Sequence, residues 1–329
     1  MLALALTILA APPSLDGITD REGWARRRAE VLKGMEAAMG ELPRGRPPLD
    51  VAFVGDAVKG EGFTRRKLTY QSEKGHRVPA WILVPDGAGK KPAMLCLHQT
   101  TREGKDEPAG LNKNEQLHYA LHLVKLGYVC LAPDYPSFGE HAYDFAKSKH
   151  PSGSIKAVWD NIRGVDYLCS RPDVDPERIG VIGHSLGGHN ALFTACFDTR
   201  LKAVVTNCGF TSFPRYYGGK IKGWTSARYM PRLETVYKLD PKGVPFDFPQ
   251  VLAAIAPRAV LASSPLKDDN FEVAGVRECI AAARPIFELL GAKDALQANY
   301  PDCGHSFPPE ARKVAYDFLG RHLKPRSSP

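Results

Sequence analysis

Gly183-His184-Ser185-Leu186-Gly187 places a serine at the centre of a G-x-S-x-G pattern. The run Ile179-Gly180-Val181-Ile182 before it reads as a buried strand, and residues 188–195 after it read as the start of a helix. Strand, pattern and helix together make the setting of a nucleophile elbow, a sharp turn that presents a serine hydroxyl at the edge of a sheet. The glycines relieve crowding, since a Cβ on either side would press on a strained turn. The plain alternative is a glycine-rich turn with an idle serine.

A serine nucleophile needs a base, and the base needs an acid to orient it. In this kind of site the chain order is Ser, then Asp or Glu, then His. Residues 259–263 read as a strand followed by the loop Ser264-Pro265-Leu266-Lys267-Asp268-Asp269-Asn270. Residues 296–300 read as the last strand, followed by Pro301-Asp302-Cys303-Gly304-His305. His305 is therefore the expected base. Asp268 is the expected acid because it follows its strand sooner, with Asp269 in reserve.

The reaction also needs donors for an oxyanion. The amide of Leu186, next after the serine, is one. The other is expected from the loop after residues 92–97, which begins His98-Gln99-Thr100-Thr101. Thr100 is the preferred donor and Gln99 the alternative. His98 reads as a structural histidine holding that loop.

The elements that must position these groups follow from the pattern of the chain. Apolar runs of strand length alternate with helix-length segments from about residue 80 to the end. That alternation implies an α/β fold with a doubly wound, mostly parallel sheet. Two strands near 64–71 and 77–84, joined by Ser72-Glu73-Lys74-Gly75-His76, read as an antiparallel hairpin at its edge. Residues 20–42 form a helix with Trp24, Val31, Leu32, Met35 and Met39 on one face, ended by a Pro- and Gly-rich connector. The expected division is residues 13–50 for that helix and connector and 51–325 for the main domain.

These motifs resemble the α/β-hydrolase superfamily, and within it the dienelactone-hydrolase-like and acetyl-xylan-esterase-like serine esterases. The catalytic domain of prolyl-oligopeptidase-type peptidases is also similar. Besides the elbow and the Asp268 and His305 loops, the resemblance rests on Leu97-His98-Gln99-Thr100-Thr101, Ala132-Pro133-Asp134-Tyr135 with Gly139-Glu140, and residues 163–168 and 173–180. It implies an α/β-hydrolase fold and a cofactor-free serine esterase acting on small-acyl or carbohydrate esters. A peptidase, or a non-catalytic binding module on the same scaffold, is the competing reading.

Residues 209–250 are long for a simple strand connection and read as a lid-like insertion. They carry Phe210, Phe213, Tyr216, Tyr217, Trp224 and Tyr229 among Arg215, Lys220, Lys222, Arg228 and Arg232. Most such aromatics pack a core. At least one is expected to meet a ligand, and Trp224 is the candidate.

Composition narrows the partners. A net charge of +8 is spread along the chain and not gathered in blocks, which argues against nucleic acid but suits steering of an anionic substrate. Seven cysteines, with no C-x-x-C and no H-E-x-x-H, give no ligand spacing for a metal. No metal and no cofactor are expected, and the oligomeric state is not legible. Residues 1–12 have the apolar length of a signal peptide without a basic start, and are too short to span a membrane. A periplasmic or secreted protein is the resulting expectation, with a cytoplasmic one as the alternative.

Overall fold

The computed structural model describes residues 11–324. All but the last two residues of the segment read as a signal peptide lie outside them. The first element is α1 (Arg21–Met39), capped by the Asp20 side chain on the Gly23 amide. Then come β1 (Ala52–Gly60), β2 (Phe63–Glu73), β3 (His76–Pro85), β4 (Lys91–Leu97), α2 (Tyr119–Lys125), β5 (Val129–Pro133), α3 (Gly153–Ser170), β6 (Val174–His184) and α4 (Leu186–Phe197). The rest is β7 (Leu201–Asn207), α5 (Arg232–Thr235), α6 (Phe248–Ile255), β8 (Ala259–Ser263), α7 (Val273–Leu289), β9 (Leu296–Asn299) and α8 (Pro309–Leu323). Among the described residues no helix is long and apolar enough to cross a membrane.

One nine-stranded sheet runs β1-β2-β3-β5-β4-β6-β7-β8-β9. From β1 to β5 the pairing is antiparallel, and from β5 to β9 it is parallel. The expected hairpin is β2 and β3, but it is not the edge: β1 lies outside it. All nine residues of β1 are exposed, so no apolar alternation marked it in the sequence. Its ladder with β2 and an ion pair from Lys59 to Asp86, at 3.2 Å, hold it. The central strands β4 to β8 are covered on both faces by helices. Their apolar runs are continuous for that reason.

The parallel registers decide where a site can form. Leu97 pairs with Gly183, His184 with Asn207, and Asn207 with Ser263. The residues that follow β4, β6, β7 and β8 therefore leave the sheet side by side at its carboxyl edge, where open α/β sheets bind ligands. α1 buries Trp24, Val31, Met35 and Met39 in the same core as the sheet.

A buried ion cluster ties the β2–β3 hairpin to α3. Glu73 accepts from His150 Nε2 at 2.7 Å and meets Lys149 Nζ at 2.5 Å and Lys156 Nζ at 3.5 Å. Burial pushes the Glu73 carboxyl up, but these partners outweigh it and bring it from 4.5 down to about 2. A depressed carboxyl stabilises the fold fully above its unfolded value and loses that effect as pH falls through its folded one. Glu73→Gln should therefore lower Tm at neutral pH and flatten the fall in Tm between pH 4.5 and about 2. Thermal melts across that range would sink this account if parent and variant showed the same acid limb.

Candidate active site

Ser185 sits between β6 and α4 with φ +53° and ψ −116°, a left-handed backbone that a serine adopts only under constraint. Two glycines permit the constraint. A Cβ on Gly187 would lie 1.9 Å from the Leu97 carbonyl at the end of β4. One on Gly183 would lie 2.2 Å from Gly187 backbone atoms. The turn is pinned from outside by the Ser185 amide, which donates to Asn207 O at 2.9 Å.

Asp268 follows β8 and His305 follows β9, and the two loops are laced together. Leu266 N donates to Pro301 O at 2.9 Å and Lys267 N to Cys303 O at 3.0 Å. His305 Nδ1 donates to the Asp268 carboxylate, 2.9 Å from Oδ2 and 3.0 Å from Oδ1. Oδ1 also accepts from the amides of Asn270 and Phe271, at 2.9 and 3.1 Å. Burial pushes the Asp268 carboxyl up, but His305 and these amides overcome it and hold the group below its ordinary value. Asp269 faces solvent.

The imidazole of His305 is one-quarter exposed and packs 4.8 Å from His184 and 5.9 Å from Phe271, ring to ring. Its hydrogen bonds among the described residues all go to Asp268; Ser185 Oγ is not bonded to it in this conformation. Apo sites of this kind commonly tighten that contact only when substrate binds.

Asn207 organises this edge, and sequence reasoning missed it. Its Nδ2 donates to His184 Nδ1 at 2.7 Å and to Ser306 O at 3.1 Å, so one amide fixes both the elbow and the histidine loop. Burial and the neighbouring His305 push His184 down to about 3, leaving it neutral and able to accept. Gly304 has no comparable part. A Cβ there would meet only Lys267 O, at 3.6 Å, an ordinary contact.

A cavity of about 250 Å³ opens at Ser185, lined by Gln99, Thr100, Leu186, His189, Trp224 and Phe271 among others. The Leu186 amide opens α4 and has no backbone acceptor among the described residues. The same holds for the amides of Gln99 and Thr100, so both alternatives for the second donor stand at the cavity. The Gln99 side chain is drawn away to Glu107, at 3.0 Å. The Thr100 hydroxyl bonds to Tyr229, which fastens this loop to the insertion.

His98 is fully buried and accepts from the Tyr135 amide at 3.1 Å. Its Nδ1 faces Gln99 O at 2.6 Å, and burial brings it down to about 4. It is a neutral strut. Trp224 lines the cavity but is only 3% exposed, clasped by His189, Phe213, Tyr216 and Phe248. Phe210 and Phe213 are wholly core. His189 went unread, although four residues after Ser185 on a helix puts it one turn along the same face.

None of the seven cysteines is in a disulfide. Cys208, left-handed at φ +48° after β7, brings its thiol to the back of the site. Cys208, Asp268 and His305 place ligand atoms within 4.8 Å of one another, the one such group among the described residues. A cation there would displace the Nδ1 proton and work against an imidazole base.

A sequence model described as the prolyl oligopeptidase family matches residues 115–325, more than half of the chain. A carbohydrate esterase, MZ0003, from an unknown prokaryotic organism is 25% identical over 94% of this chain and 82% of its own length. A glucuronoyl esterase from Solibacter usitatus superposes with a TM-score of 0.77 at 20% identity, covering 98% of each chain. An acetyl xylan esterase from Paenibacillus sp. R4 does so with a TM-score of 0.64 at 19% identity, covering 98% of this chain and 100% of its own. At such identities the structural likeness concerns the fold, which is that of the α/β-hydrolases.

Proposed function

The chain belongs to the prolyl oligopeptidase family, and within it we propose a cofactor-free serine esterase of carbohydrate or other small-acyl esters. The observation that carries this reading is the His305–Asp268 bond at the sheet edge where Ser185 stands on its strained turn. Ser185 Oγ attacks the ester carbonyl while His305 Nε2 takes its proton. Asp268 holds the Nδ1–H tautomer and stabilises the imidazolium. The amides of Leu186 and Thr100 receive the developing oxyanion. His305 then gives its proton to the leaving alcohol, and water repeats the path to release the acid. Trp224 forms part of the substrate wall.

A peptidase is the second reading, favoured by the name of the matching family. The esterases among the relatives and fold neighbours lean against it.

One panel decides between them: nitrophenyl esters of rising acyl length, acetylated xylan, methyl glucuronate esters and a prolyl peptide. Short acyl and carbohydrate esters are expected to turn over, and dialysis against a strong chelator should leave the rates unchanged. A preference for the prolyl peptide, or a chelator loss restored by one divalent cation, would overturn the proposal. The compartment is expected to be periplasmic or extracellular, on the strength of the apolar start of the chain.

A further inference from the structure

A second cavity, of about 280 Å³, adjoins the first and is lined by Thr100, Thr101, Arg102, Ser137, Phe138, Gly139 and Arg228. Thr100, the proposed oxyanion donor, lines both. No carboxylate lines the second cavity, although two arginines do.

Arg228 is held there without a counter-ion. Its Nε donates to Ser137 Oγ at 2.9 Å and its Nη2 to Ser137 O at 3.2 Å. Its guanidinium carbon lies 4.4 Å from the centre of the Phe138 ring. Among the described residues it meets no carboxylate, and Nη1 has no acceptor. Arg171, Arg178, Arg200 and Arg215 each have an acidic partner. Arg102 is 94% exposed and has only the neighbouring Glu103, at 3.3 Å.

The turn beneath Arg228 is tied down by hydrogen bonds. Ser137 is left-handed, at φ +65°, and its amide donates to His141 O at 2.8 Å. The turn is anchored by buried Lys105, 2.8 Å from Asp134 and 2.9 Å from Glu140. Much of the ordering cost of a guanidinium fork is therefore met within the fold.

We propose that this cavity is a subsite for a carboxylate on the substrate, borne by a sugar next to the one whose ester is cleaved. A uronic acid unit on an acylated polysaccharide has that chemistry, since a planar carboxylate fits a guanidinium fork. The subsite rests on the esterase reading and deepens it.

The test compares kcat/KM on acetylated xylo-oligosaccharides with and without a glucuronate branch. The intact chain should prefer the acidic substrate, and added salt should shrink that preference. Arg228→Gln should cut the acidic-to-neutral ratio about fivefold through KM, the upper end for a charge pair at an exposed site. Arg228→Lys should fall between, and Arg102→Gln should have a smaller effect. Calorimetry with the deacetylated oligosaccharides separates this proposal from the one beneath it. Binding of the acidic oligosaccharide that depends on Arg228, with no ester hydrolysed, would uphold the subsite and sink the esterase reading. Hydrolysis of neutral esters with no Arg228-dependent discrimination, in rate or binding, would sink the subsite alone.

Discussion

Ser185→Ala is expected to lower ester hydrolysis by about 10⁴-fold or more while the protein still folds. Members of a catalytic triad act as a unit, so removing the nucleophile costs nearly as much as removing all three. What survives comes from the oxyanion donors and substrate binding. The fold should tolerate the change because alanine keeps the Cβ and with it the same left-handed strain at φ +53°. The lost hydroxyl makes no hydrogen bond among the described residues, so no buried partner is orphaned. A fluorophosphonate probe should label the parent at Ser185 and leave the variant unlabelled. Activity within tenfold of the parent, in a folded variant, would remove Ser185 from the chemistry.

The legible parts of this chain are those whose surroundings leave a mark on residue type. β8 could be read residue for residue, since a parallel strand covered on both faces shows an unbroken apolar run. The elbow could be read because only small residues fit where Gly187 meets the end of β4. β1 could not, because an edge strand with every residue exposed carries no pattern beyond its partner's. Contacts between distant segments were equally hidden. Nothing near Asn207 announces that its amide spans His184 and Ser306, 23 positions before it and 99 after it. Trp224 shows the same limit from the other side. Its type made it the candidate to meet a ligand, yet whether an aromatic faces a cavity or a core is set by packing, and at 3% exposure it does mostly the latter. The basic residues of the insertion were legible as part of a lid, but not that Arg228 lies on Phe138.

Replacing Asp268 with Asn should lower turnover by about 10⁴-fold in the strong limit, and replacing Asp269 should cost far less. The two residues are neighbours of the same type, so chain position alone separates them weakly. Geometry separates them sharply. The Asp268 side chain is 1% exposed and takes three donors: the His305 ring and the Asn270 and Phe271 amides. An amide in its place can still accept at one position, but it offers an N–H toward His305 Nδ1. The ring then keeps the other tautomer, with the proton on the nitrogen that must receive one from Ser185. Turnover should fall while KM changes little, because neither aspartate lines the cavity at Ser185. Asp269→Asn removes a solvated charge one residue away and leaves the tautomer untouched. Steady-state kinetics of both variants on one short-chain ester, beside their thermal melts, reads the contrast. A crippled Asp269→Asn with a mild Asp268→Asn would reassign the acid and require the loop to turn over when substrate binds.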